Sequence, residues 1–178
     1  KSDEEVEKLI REVLKRIEEL SREAEKLTDE VRKLLKEISD RVEERSRDVL
    51  DKIRRTNDEE VIRRLITELE KEHEEVMREL DRLLKELEDI HRRTIELAKR
   101  LLKKVEEIVE KVIREEGEEA ELVRKLEKLL EDAERRVREL VKRNKEVVER
   151  VKRTVDELKA RNKKIVEEIK KVMEEITR

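Results

Sequence analysis

Histidine is the side chain best suited to proton transfer or metal binding near neutral pH, and this chain has two, His73 and His91, placed 18 residues apart. The other polar residues able to join them repeat at the same interval: Ser21 and Ser39, Asn144 and Asn162, and a further hydroxyl pair, Thr28 and Ser46. Serine, histidine and asparagine at one site would suggest acyl transfer, in which a hydroxyl attacks, an imidazole takes its proton and a third group orients the ring. A working triad also needs a cleft, an oxyanion hole and usually an acid behind the histidine, since asparagine cannot stabilise an imidazolium by charge. The sequence offers none of these, so no catalytic residue is expected. The stretch "HEEVM", starting at His73, opens like a zinc-protease helix but carries Met77 where the second histidine ligand belongs. Glu70, Glu74 and Glu88 lie near the imidazoles in sequence, as expected by chance in a chain with 52 acidic residues. No metal or other cofactor is expected.

The interval is more informative than the residue types. Eighteen residues make five turns of an α-helix, so a pattern with this period runs straight where a seven-residue repeat would wind left-handed. The apolar residues keep the same period: Val13, Val31 and Val49; Ile17, Leu35 and Ile53; Ile66, Leu84 and Leu102; Leu69, Leu87 and Val105. Toward the C-terminus the series are Leu130, Val148 and Val166; Ala133, Val151 and Ile169; Val137, Val155 and Met173; Leu140, Leu158 and Ile176. Between these, apolar residues recur at three and four positions and never alternate as in a strand. The apolar stripe spans an arc of roughly 140–160°, the width a helix buries in a three- or four-helix bundle, which argues against an unfolded polyampholyte. Met77 and Met173 lie on the stripe and read as gap fillers.

Only two places interrupt the pattern. In "RRTNDEEV", Asn57 is suited to the left-handed conformation, and Asp58 or Thr56 can cap a new helix. In "REEGEEAE", Gly117 supplies a left-handed position after a helix and is followed by acids that suit a helix N-terminus. At the start, Ser2 with Glu5 has the spacing of a capping box. These signals predict helices over about 3–55, 58–115 and 118–177, each roughly 80 Å long. Turns this short force neighbouring helices to run antiparallel. The predicted fold is all-α: an elongated, antiparallel, up-down-up three-helix bundle, nearly uncoiled, with residues 1–178 as a single domain.

Helix direction makes the polar residues testable by number alone, because antiparallel neighbours at one height have a constant index sum. Ser21 with His91, and Ser39 with His73, both add to 112. His91 with Asn144, and His73 with Asn162, both add to 235. Two equivalent buried layers are therefore expected, Ser21–His91–Asn144 and Ser39–His73–Asn162, stacked roughly 27 Å apart. In each, an amide and a hydroxyl would satisfy the two imidazole nitrogens. The serines sit at the edge of their apolar arc. Thr28 and Ser46 lie nearer its centre, where they either join the layers or bond their own preceding carbonyls.

Composition narrows the functional classes. Of 178 residues, 57% are charged and 34% hydrophobic, with one glycine and no proline, cysteine or aromatic residue. The 49 basic and 52 acidic residues are interleaved, giving a net charge of -3 and no basic patch for nucleic acid or acidic lipid. Without rings there is nothing to stack bases or to line a usual cofactor slot, and no small-molecule substrate is expected. Without cysteine there is no disulfide, thiol catalysis or thiolate metal site. No apolar run exceeds two residues, so neither a membrane span nor a secretory signal is expected. A soluble chain results, with no targeting signal and consistent with cytoplasmic expression. Its opening at Lys1 without methionine is consistent with removal of a leader or tag. Pairs such as Glu18 with Arg22 and Glu121 with Lys125 read as solvated i,i+4 contacts contributing tenths of a kcal/mol.

The strict 18-residue register, three idealised helices, charged surfaces, absent aromatics and repeated polar layers together resemble de novo designed parametric helical bundles with buried hydrogen-bond networks. The resemblance extends over the whole chain and rests on style, so it transfers no functional residue. It implies polar layers that fix helix register and partner choice. The expected function is that of a structural scaffold or rigid helical rod without enzymatic activity, and a monomer. The alternative is an interaction module whose open groove accepts a fourth helix from another chain or a second copy.

Overall fold

The computed structural model describes residues 3–177. Ser2, and with it the expected capping box, lies outside the described residues. Three helices account for nearly all of them: α1 (Asp3–Arg55), α2 (Glu59–Glu116) and α3 (Glu121–Thr177), with no strand among the described residues. Acidic residues open each helix, Asp3, Glu4 and Glu5 in α1, Glu59 and Glu60 in α2, and Glu121 in α3. Lys52, Arg54 and Arg55 close α1, so the charges oppose the helix dipole at both of its ends.

The first turn is made by side chains. Asp58 Oδ1 accepts the Glu60 N–H at 3.0 Å, and the Asp58 carbonyl accepts the Ile62 N–H at 3.1 Å, so Asp58 is the N-cap of α2. Thr56 Oγ1 accepts the Asp58 N–H at 3.2 Å. The left-handed conformation expected of Asn57 is not adopted, because no described residue other than Gly117 has a positive φ. With Thr56 and Asp58 closing the turn, it needs no such residue.

Gly117 does take that conformation, with φ +86°, and donates its N–H to the Ile113 carbonyl at 2.8 Å, a left-handed closure of α2. A Cβ at this position would meet nothing within 4 Å, so backbone conformation, not space, requires the glycine. α3 begins at Glu121, three residues later than the sequence signals suggest. Glu118 and Glu119 form the turn instead, and the Ala120 N–H reaches the Gly117 carbonyl at 3.4 Å. The Ala120 carbonyl then accepts the Arg124 N–H at 3.3 Å, which leaves alanine, a residue with no side-chain acceptor, at the N-cap. Replacing Ala120 by aspartate is expected to raise the urea midpoint by an amount equivalent to about 0.5–1 kcal/mol. A lower midpoint would place the cap elsewhere.

The chain forms two compact units, one of Lys1–Thr28 with Glu88–Val147 and one of Asp29–Leu87 with Val148–Arg178. In the first, Ile10, Leu14, Val105, Val109, Val123, Leu126 and Ala133 make one buried cluster, and Ile17, Leu20, Ala98, Val137 and Leu140 another. Its α1 and α3 are linked by Glu18 with Arg136 at 2.6 Å and by Glu25 with Arg143, pairs that share an index difference of 118, as parallel helices require. In the second unit Val49, Ile53, Ile62, Leu65, Ile66, Leu69 and Ile169 form the buried cluster. There α2 and α3 are joined by Asp81 with Lys159 and Glu70 with Lys170, both adding to 240, as antiparallel helices require. Glu43 with Arg161 repeats the difference of 118. Glu18 thus reaches across to Arg136 rather than along α1 to Arg22.

Candidate functional site

The apolar stripes carry six polar side chains inside, two histidines, two asparagines and two hydroxyl residues. His91 and Asn144 in the first unit are each 3% exposed, and His73 and Asn162 in the second are 5% and 3% exposed. Ala98 of α2 and Leu140 of α3, whose numbers add to 238, share one buried cluster, so His91 and Asn144, adding to 235, lie at heights within about one turn of each other. In the second unit the Asn162 backbone carbonyl lies beside the His73 ring.

The serines behave differently. Ser21 and Ser39 are half-buried, because their place at the edge of the α1 arc leaves one side to solvent. Thr28 and Ser46 are buried, and each donates its hydroxyl to the carbonyl four residues earlier, Ala24 at 2.8 Å and Val42 at 2.7 Å. Their bonding is spent within α1, and they take no part in the layers.

The hydrogen bonds expected within the layers do not close. Both ring nitrogens of His73, both of His91, and Asn144 Nδ2 are buried without a hydrogen-bond partner. The Asn162 carbonyl, although beside His73, does not reach bonding geometry. Index arithmetic gives the height of a residue but not its rotamer, and it cannot tell an edge hydroxyl from an interior one.

Burial holds both imidazoles below the ordinary value of 6.5. For His73 the Asn162 carbonyl and the charge of Glu72 partly oppose that shift, while for His91 desolvation is the cause. Near neutral pH the rings are uncharged. No hydroxyl is bonded to either ring, so the hydroxyl-imidazole pair of a hydrolase is not formed. Among the described residues no group of three or more histidine, aspartate or glutamate side chains is arranged to hold a metal ion. No described helix is long and apolar enough to cross a membrane.

Two features are not visible in the residue pattern. The charge pairs between helices are one, because 57% charged composition makes almost any spacing of glutamate and arginine look meaningful. The other is a cleft of about 240 Å³ in the second unit with His73 in its wall.

No protein-family model and no curated protein matches the chain. A computationally designed three-helix bundle has a similar structure, with a TM-score of 0.52, 20% sequence identity, and coverage of 98% of this chain and 82% of that one. The likeness is one of fold: this chain is an all-α three-helix bundle.

Proposed function

We propose that the chain is a structural scaffold of the designed type, without enzymatic activity, in which His73, His91, Asn144 and Asn162 set the register of the helices. Residues 1–178 act as one domain in this reading, since each helix runs unbroken through both compact units. One observation carries it: beside the buried hydroxyls Thr28 and Ser46, which bond within α1, two pairs of buried polar residues from α2 and α3 recur 18 positions apart, with ring nitrogens left unbonded. A buried polar group without a partner costs roughly 1–3 kcal/mol, so its regular recurrence does not serve stability. It does serve discrimination, because a helix that slides or rotates would place such a group against leucine or valine. The similar designed bundle supports the reading without extending to these residues.

The wide apolar arc of the helices favours the second reading, an interaction module that accepts a further helix. Static light scattering separates the two. The scaffold reading expects one species near 21.7 kDa at micromolar concentration, and a stable multiple of that mass would replace it by the interaction module.

A further inference from the structure

Within the first unit, α2 and α3 border an open groove of about 540 Å³. Part of its lining is apolar: Val137 is buried, and Leu102 and Val141 are half-buried. The rest is basic, with Lys99 from α2 and Arg138, Lys142 and Lys145 from α3, all exposed. Glu134 is the one carboxylate in the lining, so four cations stand against one acid in a chain whose net charge is -3. None of the four has an ion-pair partner among the described residues. We propose that this groove binds a single-chain amphiphilic anion of the fatty-carboxylate class, one carboxylate head on a medium-length alkyl tail.

The charge belongs to this place and not to the composition, as the 18-residue repeat shows from within the chain. Shifting α2 by -18 and α3 by +18 puts Asp81 in the position of Lys99, Asp156 in that of Arg138 and Ala160 in that of Lys142. In the second unit Asp81 also pairs with Lys159, the counterpart of Val141. The equivalent position there is balanced and bridged, whereas in the first unit it is basic and unpaired. Along the sequence these cations are interleaved with acids, and the pairing of α2 with α3 collects them on one groove. An inorganic anion would answer the cations and leave Leu102, Val137 and Val141 wet, and a neutral apolar molecule would answer only the latter. A single amphiphile answers both, and the groove has the volume of a small-ligand site, roughly 300–1,000 Å³. A partner helix fits less well, because three apolar side chains fall far short of the roughly 800 Å² per partner that a stable protein contact buries.

Octanoate is the probe, with octanamide as its neutral isostere and acetate as the head without the tail. Equilibrium dialysis against the full-length chain near neutral pH, where the carboxylate is ionised, is expected to show one octanoate bound with a Kd on the order of 1 mM. Octanamide keeps the tail and loses the charge, and should bind at least about fivefold more weakly. Acetate should not saturate in the same range, because it has no methylenes to bury. Lys99→Gln with Lys142→Gln should weaken octanoate binding about fivefold and leave octanamide binding unchanged. Lys152→Gln with Lys163→Gln, the same charge change in the second unit, should leave octanoate binding as it was. All four lysines are exposed, so both double variants are expected to fold. Equal affinity for octanoate and octanamide, equal losses in the two double variants, or uptake of octanoate without saturation would each overturn the proposal. An acidic amphipathic peptide that binds in the micromolar range and is weakened by the Lys99 and Lys142 changes would overturn it as well, assigning the groove to a partner helix.

Discussion

Lowering the pH from about 7 to 5 is expected to weaken the fold, by up to about 1.4 kcal/mol per pH unit for each of the two histidines. Burial depresses the folded-state affinity of His73 and His91 for a proton, whereas in the unfolded chain both titrate near the ordinary 6.5. Their contribution is therefore fully present above about 6.5 and declines as the pH falls through that value, since the unfolded state takes up protons that the folded state refuses. The decline ends where the buried rings themselves accept protons. Urea midpoints measured at half-unit steps give the slope. A flat profile between pH 7 and 5 would mean that the rings are as hydrated in the folded chain as in the unfolded one.

Replacing His73 and His91 together by leucine is expected to stabilise the fold by roughly 2–5 kcal/mol at pH 7. Each substitution removes two buried nitrogens without partners and substitutes a side chain of comparable size that suits the surrounding stripe. For a chain of this length that corresponds to a rise of about 5–15 °C in melting midpoint. The same variant should lose most of the acid slope, which ties both effects to the same rings. Calorimetry showing a lower midpoint for the double variant would mean that the imidazoles are bonded after all. Greater stability would also sharpen the scaffold reading, because these residues would then persist in spite of their cost and not because of it.

Much of this was legible in the residues themselves. Apolar recurrence at three and four positions, with Gly117 and the Asp58 cap as breaks, located three helices to within three residues at every end. The 18-residue interval and the index sums marked His73, His91, Asn144 and Asn162, all of which are interior. What stayed hidden depends on local geometry that spacing does not encode. Asn57 tolerates a left-handed backbone without needing one here, and Ala120 caps α3 although alanine gives no capping signal. Ser21 and Ser39 have too much of their surface at the edge of the arc and are only half-buried. The orphaned nitrogens depend on rotamers and on which neighbour comes within 3.5 Å, and pattern alone is silent on both. The Glu18–Arg136 and Glu25–Arg143 pairs needed the parallel pairing of α1 with α3 before they could be picked from so many charges.

Helix register is the property on which the scaffold reading stands, and it can be read as a distance. The chain has no cysteine, so Arg22→Cys on α1 and Glu139→Cys on α3, both exposed and in the first unit, can be spin-labelled cleanly. Electron–electron distance measurements should give one narrow distribution when the four buried polar residues are present. With His73, His91, Asn144 and Asn162 all changed to leucine, the account predicts a broadened distribution or a second population displaced by about one helical turn, 5.4 Å. An unchanged narrow distribution in that apolar variant would show that packing and turns alone fix the helices, and that the polar layers have no part in setting register.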